Sequence, residues 1–327
     1  MSISRRRFLE GTALGGIAAG VSSAASKLDK DHKLPTRVLG KTGVHVSILA
    51  FGGGSRFLMY KDEDKALEAV TRALDLGITY MDTAYGYGNG LSEERIGKAM
   101  KGRRKGIFVA TKINKRGGDE SMQILEGSMK RLQIDQFDLV HVHSLTDDDD
   151  LAQVEAKGGV LDTLHKMRDQ KMTRFIGITS HTDPTVLAKA LERHDFDCTQ
   201  MALNAGMVGM MNGKGGMVIN PAMKPSFQTI ALPVANRKKM GVIAMKVAAQ
   251  EGLLDEAPFE KLMYYSLSLP VTLVTVGMPK PEFIDQNVAL AKAFKPMPKS
   301  EMQDLSKRLS EKKKEALDRF FSNHIDA

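Results

Sequence analysis

Residues 107–112 have the sequence IFVATK, and residues 137–143 have the sequence FDLVHVH. Each is a short apolar run that ends in a charged or polar residue. A helical stripe lies between them and includes Met122, Leu125 and Leu132. Apolar runs of this length, separated by a helix, are typical of parallel strands that are buried on both faces. The stretch therefore predicts a strand–helix–strand unit.

The same unit repeats along the chain. The further apolar runs span residues 48–51, 78–82, 174–179, 199–203, 242–246 and 271–276. With the first two they make eight, and eight parallel strands covered by helices close a barrel. We therefore predict an α/β fold, a (β/α)8 TIM barrel. Two short segments at residues 37–39 and 44–46 flank GKTG, which predicts an N-terminal hairpin at the barrel floor.

A doubly wound open sheet is the competing fold. That fold carries a G-x-G-x-x-G fingerprint after its first strand and an acidic residue that binds ribose. The glycines at residues 52–54 follow the first run but do not match this fingerprint. Asp82 ends the second run and imitates the ribose-binding acid. The strand count and the missing fingerprint favour the barrel.

The first 26 residues differ from the rest of the chain. Residues 4–9 have the sequence SRRRFL, and a short apolar run at 11–21 and small residues at 22–26 follow. This order resembles a twin-arginine export signal. We expect a signal peptide at 1–26, a single barrel at 27–327, a periplasmic or exported location and the export machinery as a partner. No later apolar run is long enough to span a membrane.

Composition excludes several classes of protein. The net charge is +8, but the basic runs are short and no aromatic residues interleave with them. We therefore expect a solvated basic surface rather than a nucleic-acid partner. Cys198 is the single cysteine, so neither an intrachain disulfide nor a cysteine-ligated iron–sulfur cluster can form. We expect no metal site.

Polar side chains end three consecutive predicted strands: Asp82, Lys112 and His143, with Tyr87 shortly after the first. In a parallel barrel these ends share one face, which carries the chemistry. A phenol has a pKa of about 10, and we expect Lys112 to lower that of Tyr87. Asp82 would be the counter-ion of Lys112, and His143 would polarise a carbonyl. Tyr87 would donate a proton while an external nicotinamide supplies hydride.

These residues lie in a longer pattern. Its segments are LGKTGVHVS at 39–47, DTAYGYGNGLSE at 82–93, ATK at 110–112 and DLVHVH at 138–143. The pattern resembles the aldo-keto reductases over residues 39–287. The resemblance implies a catalytic tetrad of Asp82, Tyr87, Lys112 and His143, with Tyr87 as general acid. His143 is preferred to His141 because the family's histidine ends its strand.

The resemblance also implies a small carbonyl substrate and NADP as cofactor, with NAD left open. The implied cofactor-binding residues are Ser180, His181, Gln200, Met245, Lys246, Gly277, Lys280, Gln286 and Asn287. Two of them depart from the family's pattern. His181 stands where the family usually has Asn, and Met245 stands where it often has an aromatic residue that stacks on nicotinamide.

Three functions remain open from the sequence. The first is an enzyme that reduces an aldehyde or ketone with a nicotinamide cofactor. The second is a catalytically idle, cofactor-binding sensor or interaction protein on the same barrel. The third is a phosphate-handling barrel without redox chemistry. The four tetrad residue types favour the enzyme. A glycine- and methionine-rich segment at 204–225 either covers the site or is a plain connection.

Overall fold

The computed structural model describes residues 34–213, 216–220, 223 and 225–322. The predicted export signal at 1–26 lies outside the described residues. The strands are β1 (Thr36–Val38), β2 (His45–Ser47), β3 (Leu49–Gly52), β4 (Tyr80–Asp82), β5 (Phe108–Ile113), β6 (Phe137–Val142), β7 (Thr173–Ser180), β8 (Cys198–Ala202), β9 (Met210–Gly213), β10 (Gly216–Ile219), β11 (Gly241–Met245) and β12 (Leu273–Gly277).

Eight of these strands form a closed parallel barrel. Its order is β3-β4-β5-β6-β7-β8-β11-β12, and β12 pairs with β3 to close it. The predicted TIM barrel is therefore confirmed, and each barrel strand coincides with one predicted apolar run. The largest shifts are in β4, which begins at Tyr80 rather than at residue 78, and in β12, which begins at Leu273 rather than at residue 271.

Helices cover the outside of the barrel. They are α1 (Glu63–Asp75), α2 (Leu91–Ala99), α3 (Gly118–Leu132), α4 (Asp148–Val154), α5 (Val160–Asp169), α6 (Pro184–Arg193), α7 (Ala231–Arg237), α8 (Phe259–Ser268), α9 (Pro281–Ala293) and α10 (Lys299–Ser322). Local sequence fixes several helix ends. Asp183 accepts hydrogen bonds from the backbone of Thr185 and Val186, and Pro184 is the first residue of α6. Of the described helices, none is long and apolar enough to cross a membrane.

The barrel floor is closed by the predicted hairpin. β1 and β2 pair antiparallel, and Leu39 after β1 and Val46 in β2 are fully buried in the cluster that fills the N-terminal end of the barrel. The backbone N–H of Lys41 donates to the carbonyl of Lys239 at 2.6 Å, just before β11 begins. The N-terminal end of the barrel is thus sealed, and the opposite end remains available for chemistry.

The segment at 204–225 contains secondary structure of its own. β9 and β10 form an antiparallel hairpin in it. The backbone N–H of Met210 donates to the carbonyl of His181 at 2.6 Å. Strand β9 therefore contacts a predicted cofactor-binding residue that directly follows β7.

Candidate active site

The ammonium of Lys112 is the centre of the site. Lys112 lies in β5 and its side chain is only 1% exposed. Its Nζ donates to Asp82 Oδ2 at 2.9 Å, to the carbonyl of Thr83 at 2.9 Å and to the hydroxyl of Tyr87 at 3.2 Å. An ammonium has three N–H donors, so all of them are used. One buried cation thus joins a carboxylate to a phenol.

Strand register explains why these groups meet. Asp82 at the end of β4 pairs with Ala110, which shares a face of β5 with Lys112. The turn after β4 then carries Tyr87, whose backbone N–H donates to the carbonyl of Ala84 at 3.1 Å. Gly53 donates to the carbonyl of Asp82 at 2.7 Å. A Cβ there would lie 2.8 Å from that oxygen, so the close approach requires glycine.

His143 lies beside the phenol. Its ring centroid is 5.6 Å from that of Tyr87, and the two rings meet edge to face at 82°. Burial lowers the pKa of His143 well below its usual value, and Lys112 lowers it further. The imidazole is therefore neutral at physiological pH and can donate one hydrogen bond without carrying charge.

His141 lies deeper in the barrel than His143. Its side chain is fully buried, and neither ring nitrogen has a hydrogen-bond partner among the described residues. A Cβ at Gly177 would be 2.4 Å from His141 Nδ1, so the ring packs directly against the backbone of β7. Burial and Lys112 lower its pKa well below the usual value. It is His143, not His141, whose ring contacts Tyr87.

The net pKa of Tyr87 is raised above its usual value of 10, although Lys112 lowers it as predicted. Burial is the largest influence and disfavours the charged phenolate, while Lys112 opposes it without overcoming it. For Lys112, burial lowers the pKa. Asp82 and Tyr87 raise it by more, so the net shift of the Lys112 pKa is upward. The resting pair is therefore a neutral phenol beside a charged ammonium.

Two predicted nicotinamide contacts are buried on neighbouring strands, Ser180 at the end of β7 and Gln200 within β8. Gln200 of β8 places its Nε2 3.5 Å from Asp82 Oδ2, and its Oε1 has no partner among the described residues. Ser180 of β7 donates its hydroxyl proton to the carbonyl of Leu145 at 2.7 Å. Gln200 therefore offers a free acceptor next to the tetrad. The Ser180 hydroxyl proton is already committed, so this oxygen can only accept.

His181 contacts the segment that follows His143. Its Nε2 lies 3.1 Å from the hydroxyl of Ser144, which has a left-handed backbone at φ +58°. Burial and then Lys246 lower the pKa of His181 to about 4. The ring is neutral at physiological pH, as an Asn side chain in its place would be. The departure from the family's Asn therefore keeps a neutral hydrogen-bonding group.

The end of β11 carries Met245 and Lys246, both half-buried. Lys246 has a left-handed backbone at φ +58°. Burial, Lys112 and Arg56 lower its pKa to about 8. Nearby, the guanidinium of Arg56 forms an ion pair with Glu251 at 2.5 Å, which joins the loop after β3 to the loop after β11.

The remaining predicted cofactor residues lie at the end of β12 and along α9. Gly277 pairs with Gly52 of β3, and Gly52 pairs with Asp82. This register connects the segment to the tetrad across two strand pairings. The other three residues belong to α9 or its start: Lys280, exposed at the N-cap, Gln286, exposed, and Asn287, buried.

Three features of the site were not predicted. The carbonyl of Thr83 holds Lys112, Ser144 contacts His181, and the Arg56–Glu251 pair links two loops. The first carries no sequence signal, because a backbone acceptor is common to all residues. The polar Ser144 directly after His143 was a signal for the second. No local pattern predicts the third, because Arg56 and Glu251 are far apart in the sequence.

Comparison with known proteins shows which family the chain belongs to. The model of the aldo/keto reductase family matches residues 49–264. The chain belongs to the aldo/keto reductase family. It is 35% identical over 158 residues to L-galactose dehydrogenase of Arabidopsis thaliana, covering 45% of this chain and 49% of that protein. It is 33% identical over 169 residues to an NADP(+) aldo-keto reductase of Schizosaccharomyces pombe, covering 47% of each. The chain thus spans about half the length of these curated relatives.

Solved structures extend the likeness over the barrel. An aldo-keto reductase from Bacillus halodurans in its holo form has a TM-score of 0.68 and 24% identity, covering 84% of this chain and 96% of that one. A Klebsiella pneumoniae aldo-keto reductase in complex with NADPH has a TM-score of 0.66 and 19% identity, covering 84% and 94%. At these identities the likeness shows the fold, which agrees with the barrel described above.

Proposed function

We propose that this protein is an oxidoreductase that reduces an aldehyde or ketone with NADP as cofactor, and that Tyr87 donates the proton. The observation that carries the proposal is the position of Lys112 Nζ, within hydrogen-bond distance of both Asp82 Oδ2 and the Tyr87 hydroxyl. Membership of the aldo/keto reductase family supports it. The relative named for NADP(+) and the structure that holds NADPH support the choice of cofactor.

Each side chain has a distinct task in this reaction. The substrate oxygen lies against the Tyr87 hydroxyl and His143, and the neutral imidazole donates a hydrogen bond that polarises the carbonyl. Tyr87 releases its proton to that oxygen. Lys112 stabilises the phenolate that remains, and Asp82 keeps Lys112 charged. The nicotinamide, when bound, supplies the hydride that reaches the carbonyl carbon.

The described residues fit a nicotinamide dinucleotide. The free, buried Oε1 of Gln200 can accept from the carboxamide N–H, beside the tetrad. His181 and Ser180 would contact the same group, and Met245 would pack on the ring in place of an aromatic residue. Gly277, Lys280, Gln286 and Asn287 would hold the adenosine end. Titration with NADPH and with NADH tests the preference for NADP, with the fluorescence emission of the cofactor as the readout. The chain has no tryptophan, so no tryptophan emission competes with it.

The first prediction concerns Tyr87→Phe. It removes the proton donor, so we expect kcat/KM for small carbonyls to fall about 10²–10⁴-fold. The dissociation constant for NADPH should stay nearly unchanged, because the phenyl ring remains. NADPH consumption with a panel of aldehydes and ketones, together with the emission titration, measures both.

Tyr85→Phe is the matched control. The ring of Tyr85 lies under the guanidinium of Arg131 at 5.1 Å, and its hydroxyl is not joined to Lys112. This variant should keep its activity. Unchanged turnover in Tyr87→Phe would contradict the assigned role. Cofactor binding by the unaltered protein without turnover of any carbonyl would instead indicate the idle sensor.

We further propose that the protein is exported through the twin-arginine route. The SRRRFL sequence at 4–9 and the short apolar run after it support this. Mass spectrometry of the mature N-terminus in a periplasmic fraction tests it. A protein found only in the cytoplasm with residues 1–26 intact would rule the proposal out.

A further inference from the structure

Another buried carboxylate lies beside the tetrad without a part in the proposed reaction. Glu93 is in the first turn of α2, shortly after Tyr87, and its side chain is fully buried. Its Oε1 accepts from the hydroxyl of Thr111 at 2.6 Å, and its Oε2 accepts from Nε of Arg131 at 2.8 Å. A buried charge is costly unless it is paired and hydrogen-bonded. Glu93 meets this condition by holding two neighbouring elements to the start of α2.

The first of these elements is β5. Thr111 directly precedes Lys112 in that strand, so their side chains point to opposite faces of the barrel wall. Thr111 and Glu93 are both fully buried, so water does not compete for the hydrogen bond between them. This bond joins the start of α2 to the strand position next to the catalytic ammonium.

The second element is α3, whose last turn carries Arg131 over the turn that contains Tyr87. The guanidinium of Arg131 lies 5.1 Å from the centroid of the Tyr85 ring, and a Cβ at Gly90 would lie 2.5 Å from its Nε. The N–H of Gly90, at φ +94°, donates to the carbonyl of Tyr85 at 2.8 Å and closes the turn. Arg131 thus packs against both ends of the turn while Glu93 holds its Nε.

We propose that Glu93 is a positioning residue that sets the distance between the Tyr87 hydroxyl and Lys112 Nζ. This rests on the proposed reduction, in which Tyr87 donates the proton. At the start of the turn, the N–H of Tyr85 donates to the carbonyl of Lys112 at 3.4 Å. At its far end, Glu93 joins α2 to β5 through the hydroxyl of Thr111. The turn is thereby fixed to β5 on both sides of the phenol.

The contact between Tyr87 and Lys112 is the one that a loosened turn would lengthen. Lys112 Nζ lies 3.2 Å from the Tyr87 hydroxyl and 2.9 Å from Asp82 Oδ2. Pairing of β4 with β5 holds Asp82 and Lys112 in place, whereas Tyr87 depends on the turn after β4. A misplacement of about 1 Å can cost on the order of 10²-fold in rate. Glu93 therefore affects the proton transfer through Tyr87 rather than by contact with the substrate.

Glu93→Leu tests this role. Leucine accepts no hydrogen bond, so we expect kcat for small carbonyls to fall about 10–100-fold. The dissociation constant for NADPH should stay nearly unchanged, because neither Thr111 nor Arg131 is a predicted cofactor-binding residue. Glu93→Gln should recover most of kcat, since its amide can accept from Arg131 and donate to the Thr111 hydroxyl. NADPH consumption and the emission titration measure the two quantities.

Asp138→Leu is the matched control for lost stability. Asp138 is a buried carboxylate at the start of β6, bound to Arg104, Arg174 and the N–H of Val109. Each leucine variant removes a buried carboxylate from its arginine, so both should lower the unfolding free energy measured in urea. Folded Asp138→Leu should keep its kcat, because it lies at the opposite end of the strand from the tetrad. Equal falls in kcat in the two variants would overturn the proposal.

The loss of kcat should also depend on the phenol. In a Tyr87→Phe background no hydroxyl remains to be positioned, so Glu93→Leu should cause little further loss. Losses that simply multiply in the double variant would overturn the proposal. Thr111→Val removes the hydroxyl that donates to Glu93 and should lower kcat in the same direction by less. It takes the place of Glu93→Leu if that variant does not fold, and an unchanged kcat would then contradict the assigned role.

Hydrogen exchange separates this inference from the proposed function. Amide exchange in residues 84–92, measured by mass spectrometry, needs neither substrate nor turnover. Faster exchange there in Glu93→Leu, but not in Asp138→Leu, supports the inference even if no carbonyl is reduced, in which case the proposed function fails alone. Unchanged exchange in Glu93→Leu overturns the inference, and carbonyl reduction by the unaltered protein would then leave the proposed function standing.

Discussion

The two ends of the barrel are built from the same eight strands but from opposite kinds of residue. The N-terminal end is filled by apolar side chains and closed by the β1–β2 hairpin, with Leu39 fully buried. The C-terminal end buries Lys112 and Asp82 and holds a left-handed Lys246. The floor therefore contributes stability through apolar burial, while the mouth buries charged groups that the proposed chemistry needs.

Aromatic packing shows how the floor contributes. Tyr80 stacks on Phe108 with centroids 5.1 Å apart, and Phe108 stacks on Phe175 at 6.3 Å. Such pairs add stabilisation beyond the apolar area they bury. At the mouth, burial instead lowers the pKa of His143 and of Lys246, which means that the folded protein disfavours their charged forms. The contrast predicts different outcomes for substitutions at each end.

Lys112→Met should have the largest effect. It leaves the Asp82 carboxylate buried without its cation, which costs about 3–5 kcal/mol of unfolding free energy. It also removes the ammonium that stabilises the Tyr87 phenolate, so carbonyl reduction should be lost. Urea denaturation and NADPH consumption measure the two effects.

The double variant Asp82→Leu with Lys112→Met separates the loss of stability from the loss of activity. It removes both charges, so most of the lost stability should return while activity does not. If Lys112→Met alone were as stable as the unaltered protein, the mouth would not carry a costly ion pair, and the contrast between the two ends would fail.

Leu39→Ala should damage the floor and spare the chemistry. Leu39 is fully buried, so the cavity costs about 2–5 kcal/mol of unfolding free energy. With the site at the other end of the barrel, kcat/KM under folding conditions should change little. Val38→Ala, at a side chain that is 45% exposed, is the control and should shift stability by less than about 0.5 kcal/mol. A large fall in kcat/KM for folded Leu39→Ala would show that the ends are coupled.

His181→Asn should have the smallest effect, and it should change stability only at acidic pH. The pKa of His181 is about 4 in the folded protein against 6.5 for the free side chain, so the unfolded chain binds more protons between these values. Stability is therefore lost as pH falls from about 6.5 towards 4. Asparagine does not titrate, so the variant should lose less, by on the order of 1 kcal/mol, since the ring is partly exposed.

Denaturation at pH 7 and pH 4.5 measures that difference. His45→Asn, at an exposed position in β2, is the matched control and should leave the pH dependence as it is. An identical pH dependence in His181→Asn would mean that His181 is not held neutral by its surroundings.

The fold could be predicted from the sequence because strands buried on both faces are recognisable by their local apolar composition. The runs that became β3–β8, β11 and β12 are apolar on both faces, and this holds whichever helices cover them. Helix α1 shows what local sequence does not predict. Leu67 and Leu74 are its largest apolar residues, but the buried residues are Ala66, Ala69, Val70 and Ala73. These small residues allow α1 to pack closely against its neighbours. The distance between the helix and its neighbours depends on the tertiary structure, which local sequence does not predict.

The positions of the tetrad followed from the strand-end rule, since parallel strands bring their C-terminal ends to one face. The direction of the Tyr87 pKa did not follow, because it depends on how deeply the turn after β4 buries the phenol. The Arg56–Glu251 pair also could not be predicted, because no local pattern links two loops so distant in sequence.

The hairpin at the floor imposes an order on folding. Arg37 Nη1 donates to the carbonyl of Val271 at 2.8 Å, and 234 residues separate them along the chain. A ribosome releases Arg37 long before Val271, so the seal cannot form until nearly the whole barrel has been synthesised. Contacts of such long range are slow to form, and their loop-closure entropy must be met before they contribute stability. The nascent chain therefore carries an open barrel, with exposed strand edges, until its late segments arrive.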